Sequence, residues 1–384
     1  MFGKTLFDCL VDDRRVGRLA QSLLAAQARR HLTHLDRQRP DRIQLHTLQR
    51  LLRRAQRTPF GQAHDFERIR RLDDFRRLVP LREPADIRLA LERPGQTCPP
   101  SSLLVESGET TEPLPINWLT TGLQTAHRRL HQIALAFVLH ARPKASLLPE
   151  GIAWLGDGTR LIGRPPCSSA SLAAQRFDWL IRPWLHANPD WHFPEWDCST
   201  RRSRSFVAPH LLIGPANRLV QEADQYPAPV AVLASRSNST PSCEAVQRHF
   251  SRSLILEMLI RPEGPLAIED PRFGSLRLLP GLGLFFEFLP LDRPTRSRLT
   301  LGEVRCQEPY ELALTSPSGV WACRTGLHLE FCSVQPHLIR LLAASVQNLA
   351  PVASQPASPA TERRIPGRAL RYGTTDIPAP LGRG

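Results

Sequence analysis

Residues 103–117 read LLVESGETTEPLPIN, and the kind of core this chain builds turns on what that segment is. An apolar, strand-like run, Leu103-Leu104-Val105, breaks at Glu106 into seven residues that are all hydroxyl-bearing, acidic or glycine, and these give way to Pro113-Leu114-Pro115. Small and hydroxyl residues after a strand present backbone N–H groups to an anion, so this is the pattern of a phosphate-binding loop. Glu109 opposes that reading, because it sets a carboxylate where such a loop meets its anion. Ser, Gly and Thr also populate ordinary turns, so the loop needs support from the rest of the chain.

The periodicity changes on either side of it. Upstream, residues 14–57 place Leu19, Leu23, Leu24, Leu45, Leu48, Leu51 and Leu52 at helical spacing, which predicts two amphipathic helices. Thr58-Pro59-Phe60-Gly61 reads as a turn, and residues 66–78 as a further helix that ends before Pro80. Downstream, short apolar runs at 152–155, 230–233, 254–256 and 284–289 alternate with helical stretches at 117–138 and 169–186. That alternation predicts an α/β core. Near the end the composition turns to Pro, Ala, Gly and Ser without periodicity, too little apolar surface to offset chain entropy. The expected organisation is a helical N-terminal segment over 1–95, an α/β core over 96–346 and a disordered tail over 347–384.

Composition narrows the function classes. The chain has 384 residues, 41% of them hydrophobic, enough for a substantial core, and contains no apolar run of membrane-spanning length. The acids Asp8, Asp12 and Asp13 interrupt what a signal peptide needs as an apolar segment, so a cytoplasmic protein with no membrane partner is expected. Eight cysteines without a Cys-x-x-Cys pair indicate neither a zinc knuckle nor a disulfide framework. The net charge of +14 raises nucleic acid as a partner, but only two of the 50 basic residues are lysine and the arginines are spread throughout. The densest cluster, Arg201-Arg202-Ser203-Arg204, lacks aromatics on which bases stack, so no nucleic-acid partner is expected.

Other constellations carry little. His127 and His131 lie one helical turn apart without a third ligand and read as exposed helix residues. Gly281-Leu282-Gly283 lacks the third glycine of a dinucleotide fingerprint and reads as a hairpin turn between two apolar strands. Neither a Gly-x-Ser-x-Gly elbow nor a Walker loop with its lysine occurs.

The opening loop gains weight from three quoted segments together. Ser107-Gly108-Glu109-Thr110-Thr111-Glu112-Pro113-Leu114-Pro115-Ile116 resembles the adenylate-forming loop Ser-Gly-Thr-Thr-Gly-x-Pro-Lys-x-Ile, matching without a gap at Ser107, Gly108, Thr110, Pro113 and Ile116. TPFGQAHDFERIRRLDDFRRLVPLREPADIR (58–88) resembles the entry segment of one branch of that superfamily, the auxin-responsive acyl-acid amido synthetases or Gretchen Hagen family, with its Thr-x-Phe-Gly and its Phe-Arg-x-x-Val-Pro-Leu. Residues 285–331 look like the family's Phe-Phe-Glu-Phe-x-Pro and Tyr-Glu-Leu blocks, followed by its Gly-Leu-Tyr-Arg-Tyr-Arg-x-Gly-Asp.

The resemblance implies the large α/β domain of an adenylate-forming enzyme, with mixed sheets flanked by helices and the small C-terminal lid missing. It also implies ATP and Mg as cofactors, and a small carboxylic acid and an amino acid as substrates: the acid is adenylated and then conjugated. Ser107, Gly108, Thr110 and Thr111 would belong to the phosphate loop, with Thr110 acting in catalysis. In EMLIRPEGPLAIEDPR, which resembles the family's Tyr-x-x-Ser/Thr-Glu-Gly segment, Glu263 would be the catalytic, magnesium-side carboxylate and Gly264 the close-approach glycine. Arg324 is the cation kept near the ribose.

The chain departs from the family at Glu109, at Leu114 in place of the loop lysine, and at Leu327 in place of the ribose-binding acid. A carboxylate about 5 Å from a phosphate charge costs on the order of 3 kcal/mol at an effective dielectric near 20, and a missing ribose acceptor adds roughly 1 to 3 kcal/mol. The expected function is therefore an amido synthetase-like ligase with impaired activity, the alternative being a pseudoenzyme that binds a carboxylic acid or a protein partner.

Overall fold

The apolar runs of the second half line up side by side because each is too short for a helix and too apolar for a surface loop. The structure, a computed structural model, describes residues 14–91, 103–106, 116–143, 152–155, 160–161, 210–226, 228–236, 243–292 and 297–342. All lie within one compact unit, Met1–Ala350. The strands are β1 (Leu103–Glu106), β2 (Ile116–Leu119), β3 (Ile152–Trp154), β4 (Arg160–Leu161), β5 (Leu211–Pro215), β6 (Ala231–Arg236), β7 (Leu254–Arg261), β8 (Gly264–Asp270), β9 (Ser275–Leu278), β10 (Phe285–Pro290), β11 (Pro309–Thr315), β12 (Cys323–Val334) and β13 (His337–Leu341). The helices are α1 (Arg14–Asp36), α2 (Pro40–Ala55), α3 (Pro59–Ala63), α4 (Leu72–Leu78), α5 (Pro84–Leu91), α6 (Thr121–Ala141), α7 (Ala216–Gln221) and α8 (Cys243–His249).

Among the described residues ten strands form one sheet in the order β10-β11-β12-β13-β9-β8-β7-β6-β5-β3, and β2-β1-β4 form a second. The large sheet changes character at β7. From β7 to β3 the pairings are parallel, β7 with β6, β6 with β5 and β5 with β3. The remainder is antiparallel. Burial follows: β5 is buried along its whole length, as a strand covered on both faces must be, whereas β12 alternates between buried and partly exposed residues. Leu219 of α7 and Val246 of α8 pack with Leu212, Val232 and Ala234 on one side of the parallel half. Across the sheet, α6 contributes Leu130, Ile133, Ala134 and Phe137 to the largest core.

The N-terminal helices are tied to the sheet by both apolar and polar contacts. Leu48, Leu51, Leu52 and Ala55 form one buried face of α2, packed with Phe75, Phe285 and Trp321. Each such leucine contributes about 2 kcal/mol by burial. Gln44, also buried, donates from Nε2 to the carbonyls of Pro280 and Leu284, both at 2.9 Å, and accepts from the Phe286 N–H at 2.7 Å. At the end of α1, Asp36 accepts from Arg272 Nη1 at 2.8 Å and Arg277 Nη1 at 2.6 Å, which fastens that helix to the β8–β9 hairpin.

Five expectations are corrected. Thr58–Gly61 is not a plain turn: Thr58 Oγ1 caps the Gly61 N–H at 3.1 Å, and α3 starts at Pro59. Residues 66–78 are not one helix: a short 3₁₀ turn at Phe66–Arg68 follows Asp65 in the left-handed region (φ 49), and α4 starts afresh where the Asp74 carboxylate accepts from the Arg70 and Arg71 N–H groups. The helix expected at 117–138 begins at Thr121, because residues 116–119 pair with β1 and Thr120 Oγ1 caps the Leu123 N–H at 3.1 Å. The Gly281 region is no hairpin: Pro280–Leu282 forms a 3₁₀ turn that carries the chain from β9, in mid-sheet, to β10 at the sheet's far edge. His131 is buried, not exposed; its Nδ1–H donates to the His127 carbonyl at 2.8 Å, and burial pulls its pKa down to about 4. The helix expected at 169–186 and the tail at 347–384 lie outside the described residues.

Candidate functional site

The β7–β8 connection is a two-residue turn. Arg261 pairs with Gly264, so Pro262 and Glu263 form its tip. Proline fixes one turn dihedral and lacks an N–H that would need a partner. Gly264 takes φ 142, where side chains are strained, and a Cβ there would come within 3.0 Å of both Leu123 Cδ1 and Leu284 Cδ2. The first turn of α6 and the entry to β10 therefore close over the hairpin tip. The consequence is unusual for a turn residue: Glu263 is only 1% exposed.

A buried carboxylate needs a counter-charge and hydrogen bonds. Glu263 has the first in weak form, since Arg261 Nε stands 3.4 Å from its Oε2 and both side chains are 1% exposed. That oxygen accepts no hydrogen bond. The guanidinium also donates from Nη2 to the Thr325 carbonyl at 3.2 Å, which brings the hairpin tip against β12.

β12 is irregular at this point. Its register against β11 shifts between Leu312 and Ala313, whose partners are Leu327 and Arg324, leaving Thr325 and Gly326 as a bulge. Gly326, at φ 66, takes the left-handed residue, and its N–H donates to Glu311 Oε1 at 3.3 Å. Arg324 holds the other oxygen of Glu311 through both Nε and Nη2, and donates from Nη1 to Glu83 at 3.0 Å. The hydrogen bond to Glu311 raises the Arg324 pKa further above its ordinary value. On the other side of Arg324, burial first and the Glu263 charge second push the Cys323 thiol well above the usual thiol range, so it is neutral.

Arg82 runs alongside. Its N–H donates to the Ala322 carbonyl, and its own carbonyl accepts from the Arg324 N–H, both at 2.9 Å. The guanidinium lies 5.2 Å from the centre of the Phe60 ring and donates to the Asp86 carbonyl at 2.9 Å. α5, which follows, packs against both β12 and β2.

The structure thus gathers Glu263, Gly264 and Arg324 into one neighbourhood, linked by the Arg261–Thr325 hydrogen bond. Ser107, Gly108, Thr110 and Thr111, with Glu109 and Leu114, lie outside the described residues, but the strands at both ends of that loop are seen: β1 and β2 pair antiparallel, with Glu106 opposite Ile116. Leu327 is a core residue, 3% exposed and opposite Leu312, so its position offers an apolar wall and no hydrogen-bond acceptor. Sequence reasoning missed Arg261, Arg82, Glu83 and Glu311. The visible signal for Arg261 was a cation two residues before a glutamate at a hairpin tip, a spacing that lets the two side chains meet.

Magnesium, implied by the resemblance, requires carboxylates free to ligate it. Glu263 is the one offered, and a guanidinium already stands against its open oxygen. Among the described residues no three His, Cys, Asp or Glu side chains are grouped to hold a metal ion. The described residues do not fit the ion unless Arg261 withdraws.

The mixed α/β fold has counterparts among solved structures. The fold is similar to that of the GH3.15 acyl acid amido synthetase bound to 2,4-DB (15% identity, covering 85% of this chain and 70% of that one, TM-score 0.56). It is also similar to an open conformation of 2-hydroxyisobutyryl-CoA ligase in complex with 2-HIB-AMP and CoA (12% identity, 77% of this chain and 72% of that one, TM-score 0.51). The chain has the α/β fold of the adenylate-forming class. Residues 29–98 match the GH3 family N-terminal domain. No curated protein matches it in sequence.

Proposed function

We propose that the chain is an adenylate-forming ligase-like protein that binds a small carboxylic acid in the α/β core spanning 96–346, with the adenylation step impaired. The observation that carries this reading is the buried Arg261–Glu263 pair, 3.4 Å apart, packed against the Thr325 carbonyl. In an adenylation site the carboxylate at the hairpin tip manages charge that develops on a phosphate, and such groups accelerate a reaction only when they are pre-aimed and free. Here Arg261 neutralises that carboxylate from within the chain. Leu327 at the ribose position and Leu114 in the loop remove two further polar services. What remains suits binding of an acid better than stabilisation of a transition state. ATP and an amino acid are the remaining ligands of this reading, since the similar proteins are an amido synthetase and a ligase bound to an adenylate.

The test is ATP–pyrophosphate exchange across aryl, indolyl and fatty acids, run beside calorimetric titration of the same acids and with Thr110→Ala as the control. The expected result is acid binding with exchange no higher than the control. Acid-dependent exchange above the control overturns the impairment, and absence of acid binding overturns the reading as a whole.

A further inference from the structure

A second concentration of charge lies where α2 and α6 meet the Pro280–Leu282 turn, behind the two leucines that close over Gly264. Arg50 and Arg54 stand one turn apart on α2, and Arg129 lies on α6. A glycine leaves room for Arg50, and Pro317 closes on a second beside Arg54, 2.6 Å from where a Cβ of Gly122 would stand. Gly283, at φ 95, would place a Cβ 3.0 Å from Arg50 Nη2, and Gly122 would place one 3.4 Å from Arg54 Nη1. Arg129 Nη1 donates to the Gly281 carbonyl at 3.0 Å. The scaffold under these side chains is rigid, because buried Gln44 bridges α2 to Pro280, Leu284 and Phe286.

What distinguishes this cluster is that, among the described residues, none of its arginines is paired with an acid. The deeply buried Arg298 is matched by Glu287, and Arg272 by Asp270 and Asp36. Among the described residues no ion pair joins Arg50, Arg54 or Arg129 to a carboxylate, and Arg50 Nε is buried without a hydrogen bond. Burial, and then the charges of Arg54 and Arg129, hold the Arg50 guanidinium below its ordinary pKa. Three like charges gathered at one turn are unfavourable in the free protein and become favourable once an anion neutralises them.

We propose that Arg50, Arg54 and Arg129 form a binding site for a diphosphate or triphosphate group, separate from the Glu263 turn. A lone carboxylate would engage one guanidinium fork. Side chains one helical turn apart are about 5–6 Å apart at their Cβ atoms, a span that suits successive phosphates, and guanidinium groups hold phosphate oxygens in bidentate pairs. Free pyrophosphate, a nucleotide and coenzyme A all present this chemistry.

The test is calorimetric titration of the full chain with sodium pyrophosphate at constant ionic strength, for wild type, Arg50→Met, Arg54→Gln, Arg129→Gln and Glu263→Gln. Binding is expected to weaken about tenfold or more in each arginine variant, the loss of one charge-assisted contact, and to be unchanged in Glu263→Gln. Arg54 and Arg129 are exposed, so their variants carry the test if Arg50→Met fails to fold. Failure of wild type to bind pyrophosphate, or wild-type affinity in all the arginine variants, overturns the proposal. So does loss of binding confined to Glu263→Gln, which would assign the anion to the turn instead. Competition by ATP or by coenzyme A names the source of the phosphates, and competition by neither leaves free pyrophosphate as the ligand.

Discussion

Two buried glutamate–arginine pairs in this molecule are equally hidden from solvent and differ in construction. Glu287, on β10, receives Arg298 Nε at 2.8 Å and Nη2 at 2.5 Å, a two-point contact with both carboxylate oxygens used. Arg298 spends its remaining donor on the Val79 and Arg76 carbonyls, at 2.6 and 3.3 Å, and lies 5.1 Å from the Phe75 ring centre. Burial pushes the Glu287 carboxyl upward, and the Arg298 charge opposes that. The pair fastens the N-terminal helices to the sheet edge. Glu263 meets Arg261 through one contact of 3.4 Å and leaves an oxygen without a hydrogen bond. Both glutamates are almost wholly excluded from solvent. A satisfied buried pair holds a fold together, whereas an unsatisfied one costs stability, which is the premise on which the proposed function rests.

The largest test of that contrast is to break the satisfied pair. Glu287→Gln leaves a buried guanidinium opposite a neutral amide, which costs about 3–5 kcal/mol, and urea unfolding should show it. Loss of less than about 1 kcal/mol would mean that the pair is not what ties the helices to the sheet. Next in size is Gly264→Ala. The substitution puts a Cβ 3.0 Å from Leu123 and Leu284 at a φ of 142 that alanine avoids, so a cost of about 2–4 kcal/mol is expected. A melting temperature within a degree of wild type would show that the turn relaxes and that the glycine is not what holds Glu263 in its buried position.

Much of this contrast was legible in the sequence and some was not. The leucine spacing of residues 14–57 gave α1 and α2, because an amphipathic helix writes its buried face into the sequence at a fixed period. The short apolar runs gave β3, β6, β7 and β10 for a related reason. What failed were the places where a long-range partner overrides local preference. Ile116 to Leu119 lies next to a strong helix yet pairs with β1, and Gly281-Leu282-Gly283 sits between strands that are neighbours in sequence and not in the sheet. Glu263, Gly264 and Arg324 are singled out by the family resemblance, but their convergence is not legible in the sequence, since it depends on the β12 bulge and on the Arg261–Thr325 contact. Leu327 was read as a lost ligand; its burial opposite Leu312 shows that it also fills the core.

A double-mutant cycle sharpens the comparison at the weaker pair. Arg261→Met, Glu263→Gln and the double variant should give a coupling energy of about 1 kcal/mol or less, since a single long contact in a dry site gains little over its desolvation cost. The same cycle at Arg298 and Glu287 should give several times more. Equal couplings would remove the distinction between a structural and a functional pair.

The smallest effect belongs to a third pairing, partly in water. Asp36 is 42% exposed and binds Arg272 and Arg277 at 2.6–3.1 Å. Partial burial alone would raise its carboxyl pKa, but the two arginines outweigh that and hold it below the ordinary carboxylate range. A carboxylate whose folded pKa is depressed stabilises the fold above its unfolded pKa, near 4, and loses that contribution as the pH falls through the lower folded value. Solvent screening limits the gain to about 1 kcal/mol or less. Asp36→Asn should therefore be slightly less stable than wild type at pH 7, with the gap closing as the pH falls below about 4. A gap of constant size across that range would mean that Asp36 acts through packing of the α1 terminus and not through its charge, and the ranking of the three pairings by charge contact would lose its lowest member.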